Sequence, residues 1–385
     1  LEIQTLSVLN KGTVAEILKT KVKGGRVLRL TDAASHSQAL PQIVSVDIAE
    51  NAGATPLEMM VRLIGGRTFN LLGSGNAESI EKKYQDRVRA GDPYAGNVFF
   101  QPGAMAPLIG LANRLTGEVI APGVIEATVL GHKVHMPLNH GLNPGQRPHH
   151  LHGVGFDQAT EVSTHEDRTG VHLRAEFAPG FHEPYWTGRF GVTVDHSLKD
   201  GVYCFEMECQ NAGDTAVPLG AGAHPYFVAP SGDPEAVKLL IPGRRIVEID
   251  NYENVLPTGR ILEIESGSRF HFHQPGGRHL HGQYLDNLWV DLETDANGYA
   301  FAEFIDLKAQ LRLRMTALTQ NIIGIQVFAP QPAVNSDLGV FAAIEFVTNL
   351  PDPREELWKN TPTGMALIQP GQSLKYGYKI EAFAL

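Results

Sequence analysis

The sequence predicts an all-β protein, a large antiparallel β-sandwich with few short helices. Three observations carry this expectation: apolar residues recur at every second position, turn signals separate these runs, and helical periodicity is scarce. In chain order, the best helical stretch comes first, at about 77–90, where Ile80, Tyr84 and Val88 repeat at i+4 among charged residues. Phe190, Val192 and Val194 then begin the alternation. Between Tyr203 and Cys209 the apolar set takes the odd positions, and Glu206 and Glu208 take even ones. Leu311, Leu313 and Met315 alternate with Arg312 and Arg314, and Tyr376, Tyr378 and Ile380 close the series. Asn211–Gly213, Pro230–Pro234, Gln274–Gly277, Asn297–Gly298 and Pro370–Gly371 supply the turns. Many short strands with such punctuation imply sheet packed on sheet. No repeat of fixed period stands out and no long polar linker divides the chain, so residues 1–385 are expected to form one domain.

Composition narrows the function classes. The 385 residues are 43% hydrophobic and 19% charged, which suits a soluble globular protein. A formal net charge of −10 disfavours a nucleic-acid partner. No apolar run is long enough to span a bilayer, so no membrane partner is expected. Cys204 and Cys209 lie an odd number of residues apart on an alternating segment and should point to opposite faces. A bridge between them is not expected, and no cysteine metal site can be built. The first residue is Leu, which suggests a processed or trimmed start and leaves the compartment open, cytoplasmic or periplasmic. Oligomeric state is not legible.

Candidate chemistry sits in several short segments. His149, His150 and His152 follow a turn-rich stretch, and on a strand His150 and His152 would share a face and could ligate zinc. No neighbouring carboxylate or cysteine completes a ligand spacing, so exposed loop histidines or contacts to hydroxyl groups are the alternatives. His224, followed by Pro225, Tyr226 and Phe227, ends an apparent strand. It could serve as an acid near neutral pH or be a buried structural histidine. Glu345 shares a strand face with Ala343 and Val347, an unusual place for a charge. It is either paired or tuned for proton transfer, or else a surface glutamate with small neighbours. Asp286 stands before a strand where an Asp-Asn pair commonly makes a turn, and Arg114 alone reads as a surface charge. Nucleophile-elbow, phosphate-loop and dinucleotide-binding patterns are absent.

Together these segments resemble the aldose 1-epimerase (galactose mutarotase) family. Gly110-Leu-Ala-Asn-Arg114 is similar to its Gly-Arg-x-Ala-Asn-Arg, and His150-Leu-His152-Gly153 to its Leu-His-Gly-Gly. His224-Pro-Tyr-Phe227 is similar to its His-x-Tyr-Phe, and Leu285-Asp286-Asn287 to its Asp before a strand. Glu345 followed by Leu350-Pro-Asp352 resembles its Glu and Pro-Asp, and Gln369–Tyr376 its closing turn and strand. The likeness covers about 95–385, with 1–95 a poorly matched elaboration. Leu111 and Val154 depart from the pattern, as does Val228-Ala-Pro after Phe227.

The resemblance implies a galactose mutarotase-like supersandwich that interconverts the α and β anomers of an aldohexose such as glucose or galactose. It further implies Glu345 as base, His224 as acid, and Arg114, His152 and Asp286 as holders of the sugar hydroxyls. Neither cofactor nor metal is expected. An ionised Glu345 beside a protonated His224 would sustain each other's charge. Trp186, Phe227 and Trp289 are expected in the core, with stacking on the sugar as the alternative. The rival substrates are hexose 6-phosphates, for which Arg147, Arg244 or Arg245 would be the phosphate partners; a non-catalytic sugar-binding protein is the rival from another class.

Overall fold

The computed structural model describes residues 5–7, 13–32, 40–73, 76–101, 104–167, 170–330 and 339–385. Two 9-stranded sheets dominate it. The first orders Thr160–Asp167, Gly170–Phe177, Phe190–Lys199, Val202–Asn211, Ser373–Ala384, Leu311–Ala317, Phe301–Asp306, Val237–Leu240 and Arg278–His279. Its strands carry the alternation that the sequence displays: Tyr203, Phe205, Met207 and Cys209 are buried, while Glu206 is exposed and Cys204 half-buried. The two cysteines are free, as expected of residues on opposite faces.

The second sheet orders Pro257–Glu263, Gly243–Ile249, Leu285–Leu292, Gly324–Ala329, Phe341–Val347, Val217–Ala223 and Ala366–Ile368. Pro107–Gly110 pairs with Val217–Ala223, and Tyr226–Val228 pairs with Phe341–Val347. The sheets pack face to face through one core that includes Phe205, Tyr376 and Tyr378 from the first and Leu219, Ile325 and Phe346 from the second. The Tyr376 hydroxyl donates to the Phe346 carbonyl across the sandwich at 3.0 Å. This is the all-β, antiparallel sandwich that the periodicity calls for.

The central strands of the second sheet alternate between two cores instead of between core and solvent. In Phe341–Val347, Ala342, Ile344 and Phe346 enter the inter-sheet core. Val347 joins a cluster around Leu108, Leu288 and Trp358 on the other side, and Phe341 and Ala343 join one with Tyr226 and Val228. Leu285 and Trp289 face the inter-sheet core, whereas Leu288 and Val290 face away from it. Polar residues on that outer face are therefore buried as well.

Residues before 95 form a 6-stranded sheet in sequential order. Leu28, Ile43, Val46 and Met59 from it enter the large core. Gly201 N–H donates to Asp32 at 2.8 Å and Thr160 N–H to the Glu50 carbonyl at 3.1 Å, linking it to the first large sheet. The expected helix is Ala77–Arg89, with Asn76 accepting from Ser79 N–H at 3.0 Å as N-cap. Ile80 is buried and Tyr84 half-buried, but Val88 is 46% exposed because the last turn runs past its packing surface. Among the described residues no helix is long and apolar enough to cross a membrane.

Removing the hydroxyl that joins the sheets should be felt without disturbing the core's shape. Tyr376→Phe is expected to cost about 1–2 kcal/mol, because the buried Phe346 carbonyl loses its donor. Denaturant unfolding should show a lower midpoint at unchanged slope, and an unchanged midpoint would refute the assignment.

Candidate active site

Three adjacent strands of the second sheet bring polar side chains to one face. Asp286 lies on Leu285–Leu292, Gln326 on Gly324–Ala329 and Glu345 on Phe341–Val347. The ladder sets Gln326 directly opposite Glu345 and Asp286 opposite Phe328. Gln326 Nε2 donates to Asp286 Oδ1 at 2.6 Å. Asp286 is the second residue of its strand and not part of a turn ahead of it.

Two chain bends complete the ring. Arg114 follows Pro107–Gly110 through a bend in which Asn113 has φ 69°, and buried Asn349 holds that bend by accepting from Ala112 N–H at 2.9 Å. Arg114 is 6% exposed and donates to Asp286 Oδ2 at 2.9 Å, so it is no surface charge. His152 has φ 71°, and its N–H donates to the Asn113 carbonyl at 2.8 Å. Gly153 beside it has φ 62°, and a Cβ there would lie 2.2 Å from the Ile109 carbonyl oxygen, so close backbone approach requires glycine. His224 leaves Val217–Ala223 with its N–H on the Ala106 carbonyl at 3.0 Å and its ring stacked on Tyr226 at 4.7 Å.

All the site residues expected from sequence, Arg114, His152, His224, Asp286 and Glu345, line one cavity of about 340 Å³. His224 Nε2 and Glu345 Oε1 stand 3.2 Å apart. Glu345 Oε2, His224 Nδ1, His152 Nδ1 and Arg114 Nε are buried without a hydrogen-bond partner among the described residues. Unpaired buried polar atoms are costly, and their convergence on one cavity marks a place for a polar ligand. Phe100, Phe328 and Phe341 supply an apolar wall.

Burial sets the electrostatics. It pushes the Glu345 carboxyl well above the usual carboxylate range; Asp286 adds to the rise, and Arg114 opposes it. Burial likewise lowers His224 to about 3, with Arg114 adding to the fall. Asp286 is raised by burial against the pull of Arg114 and Gln326. The expected mutual support of carboxylate and imidazolium is thus opposed by desolvation, which favours the neutral tautomer of the pair. Both tautomers hold one shared proton and differ only by its transfer along the 3.2 Å contact.

The sequence model of the aldose 1-epimerase family matches residues 104–337. The chain belongs to the aldose 1-epimerase family. A search of curated proteins returns no match. Among solved structures, a galactose mutarotase-like protein of Clostridium acetobutylicum superposes with a TM-score of 0.72 at 15% identity, covering 98% of this chain and 100% of its own. A galactose 1-epimerase of Lactobacillus acidophilus gives 0.65 at 15% identity, covering 97% and 99%. An aldose epimerase homologue of C. elegans gives 0.65 at 17%, covering 89% and 96%. These similarities extend the family's fold over the region before residue 104 as well.

Several other expectations change within this family frame. His149 and His150 are buried, not loop residues exposed to solvent. His150 cannot join His152 on a metal, because its ring nitrogens sit 2.8 Å and 2.9 Å from the Pro137 and Gly153 carbonyl oxygens. The group that could hold an ion here is His152, His224 and Glu345, whose donor atoms lie within 4.8 Å of one another. Trp186, Phe227 and Trp289 are core residues, as expected, and do not line the cavity. Leu111, where the family pattern has arginine, is fully buried in the core. Sequence reasoning missed Gln326, His140 and Phe100. Gln326 is a lone polar residue in an otherwise apolar strand as Glu345 is, and that signal was available.

The buried histidines make stability depend on pH. Burial lowers His149 to about 3 and His150 to about 4, from an ordinary 6.5. The unfolded chain therefore binds their protons first on acidification, and the stability these two histidines contribute is full above about 6.5 and lost as pH falls toward about 4 and about 3. Denaturant midpoints at about pH 7 and pH 5 should show the loss, and a constant midpoint across that window would contradict it.

Proposed function

We propose that this protein is an aldose 1-epimerase (mutarotase) that interconverts the α and β anomers of a free aldohexose such as glucose or galactose. The observation that carries the reading is the contact of His224 Nε2 with Glu345 Oε1 at 3.2 Å, inside a cavity also lined by Arg114, His152 and Asp286. Ring opening needs one group to take the proton from the anomeric hydroxyl and another to give one to the ring oxygen. Glu345 acts as base and His224 as acid. As the bond from C1 to the ring oxygen breaks, the anomeric C–O becomes a carbonyl, and one proton has passed from His224 to Glu345 through the sugar.

The product of that step is a protonated Glu345 beside a neutral His224, the tautomer that burial favours. Burial therefore favours the charge state reached on opening and, by the same amount, disfavours the ion pair that must form before it. Rotation about C1–C2 exposes the other carbonyl face, and closure returns both protons. Nothing is consumed, and the chemistry as written calls for no cofactor. Arg114, His152 and Asp286 hold the hydroxyls and keep the reacting atoms in line. Arg114 also pulls Glu345 toward the carboxylate it must be before the reaction.

An unphosphorylated substrate is favoured by charge. Arg147, Arg244 and Arg245 do not line the cavity. Arg244 pairs with Glu293 at 2.6 Å, and Arg245 faces Asp291 at 3.5 Å. Arg114, the cation among the described lining residues, is already committed to Asp286.

Polarimetry on freshly dissolved α-D-glucose and α-D-galactose should show faster relaxation to the same final rotation. Sugar binding without acceleration would point to a binding protein, and acceleration confined to 6-phosphorylated sugar would reverse the substrate assignment. Glu345→Gln and His224→Asn should each lower kcat by about 10²–10⁴-fold while the folded circular-dichroism signature is kept. Wild-type turnover in either variant would remove that residue from the mechanism.

A further inference from the structure

A second cluster of ligating side chains lies away from the sugar cavity, on the polar face of the first nine-stranded sheet. His165, His172 and Asp195 offer donor atoms within 4.8 Å of one another. Each comes from a different strand, Thr160–Asp167, Gly170–Phe177 and Phe190–Lys199, which are consecutive at the edge of the sheet. The register places His165 opposite His172, while Asp195 stands opposite Arg174, two residues further along the second strand. His172 Nδ1 is 2.7 Å from Asp195 Oδ1, and His165 Nε2 is 3.6 Å from Asp195 Oδ2. The two imidazoles stack at 4.7 Å, which brings both rings to the same carboxylate.

We infer that these three residues form a binding site for a first-row divalent transition ion, with Zn²⁺ as the natural probe. The donor set of two imidazoles and one carboxylate is the kind that zinc accepts with water as a fourth ligand. Metal–ligand bonds of about 2.0–2.1 Å in a tetrahedron place ligand atoms about 3.3 Å apart; His172 Nδ1 is 2.7 Å from one Asp195 oxygen, His165 Nε2 is 3.6 Å from the other, and one donor atom from each residue lies within 4.8 Å of the rest. Asp195 lies opposite Glu206 in the ladder, so a second carboxylate adds negative potential beside the site. The cluster opens onto a cavity of about 360 Å³, which leaves room for the water ligand and a path for the ion. Arg174 also faces this cavity and opposes the ion's charge, so affinity is expected to be moderate.

The consequence is mechanical. One ion would cross-link three neighbouring strands, including Thr160–Asp167, which ends the sheet order among the described residues. Binding to the folded chain alone raises its stability with ion concentration.

The test uses the full-length chain after chelator treatment, titrated with Zn²⁺ by calorimetry and followed by thermal unfolding. One ion per chain and a Tm that rises with Zn²⁺ are expected. His165→Ala changes a partly exposed residue and should weaken this binding at least about tenfold while leaving anomer exchange intact. His224→Asn should leave it unchanged. Loss of binding in His224→Asn but not in His165→Ala would move the ion to His152, His224 and Glu345 and overturn the proposal. Absence of saturable binding up to about 1 mM Zn²⁺ would overturn it as well.

Discussion

The antiparallel ladder between Gly324–Ala329 and Phe341–Val347 is the constraint on which the site depends. Because side chains alternate strictly along a strand, placing Ile344 and Phe346 in the inter-sheet core commits Glu345 to the opposite face. The same rule turns Gln326 outward while Ile325 and Val327 stay in the core. A slip of one residue would exchange every one of these positions. The hydrophobic effect thus acts as the positioning device: many apolar side chains specify the register, and the register specifies where a single carboxylate stands. Hydrogen bonds within the site refine that placement but could not hold it against the core.

Burying Arg114, Asp286 and Glu345 together is expensive, and their arrangement reduces the cost unevenly. Asp286 receives both Arg114 and Gln326, so its two oxygens are satisfied at 2.9 Å and 2.6 Å. Glu345 meets His224 at 3.2 Å through one oxygen, and its other oxygen has no hydrogen-bond partner among the described residues. A fully bonded carboxylate is a fixed element, whereas a half-bonded one keeps its proton exchangeable. The difference between the two acids therefore lies in their partners, since both are buried. Arg114 couples them: it anchors Asp286 directly and biases Glu345 toward the charged form.

Legibility in the sequence followed the number of buried faces. Strands of the first large sheet face solvent on one side, and their alternation could be read from Tyr203 to Cys209 or from Leu311 to Met315 directly. Val217–Ala223 and Phe341–Val347 are buried on both faces, and so is most of Gln42–Ala49, so composition hardly alternates along them. Gln42–Ala49 brings the same difficulty to the region before residue 95, whose described strands form a six-stranded sheet. The site residues came from resemblance to a family in short motifs, and all five line one cavity. Gln326 escaped because an amide among apolar residues looks like a tolerated exception until its register partner is known. His140 escaped because its loop carries no periodicity, and Phe100 because it ends the short 3-10 helix Ala95–Phe100, too brief to show one.

The backbone at the site shows how the resemblance translates into physics. Asn113 and His152 both adopt left-handed conformations, at φ 69° and 71°, which cost free energy for residues bearing a Cβ. The hydrogen bond from His152 N–H to the Asn113 carbonyl joins the two bends directly. Each bend delivers one polar side chain, Arg114 from the first and His152 itself from the second. Relaxing either bend to an extended form would carry its side chain away from the cavity and break the joint. Glycine at 153 lets the second bend press against Ile109 and Leu111 without a clash. The short motifs that flank these residues are therefore conditions for the turn geometry as much as sources of functional groups. A substitution at Gly153 would act on the chemistry through the backbone, whereas one at Asn113 would also alter a cavity-lining side chain that accepts from Arg114 at 2.8 Å.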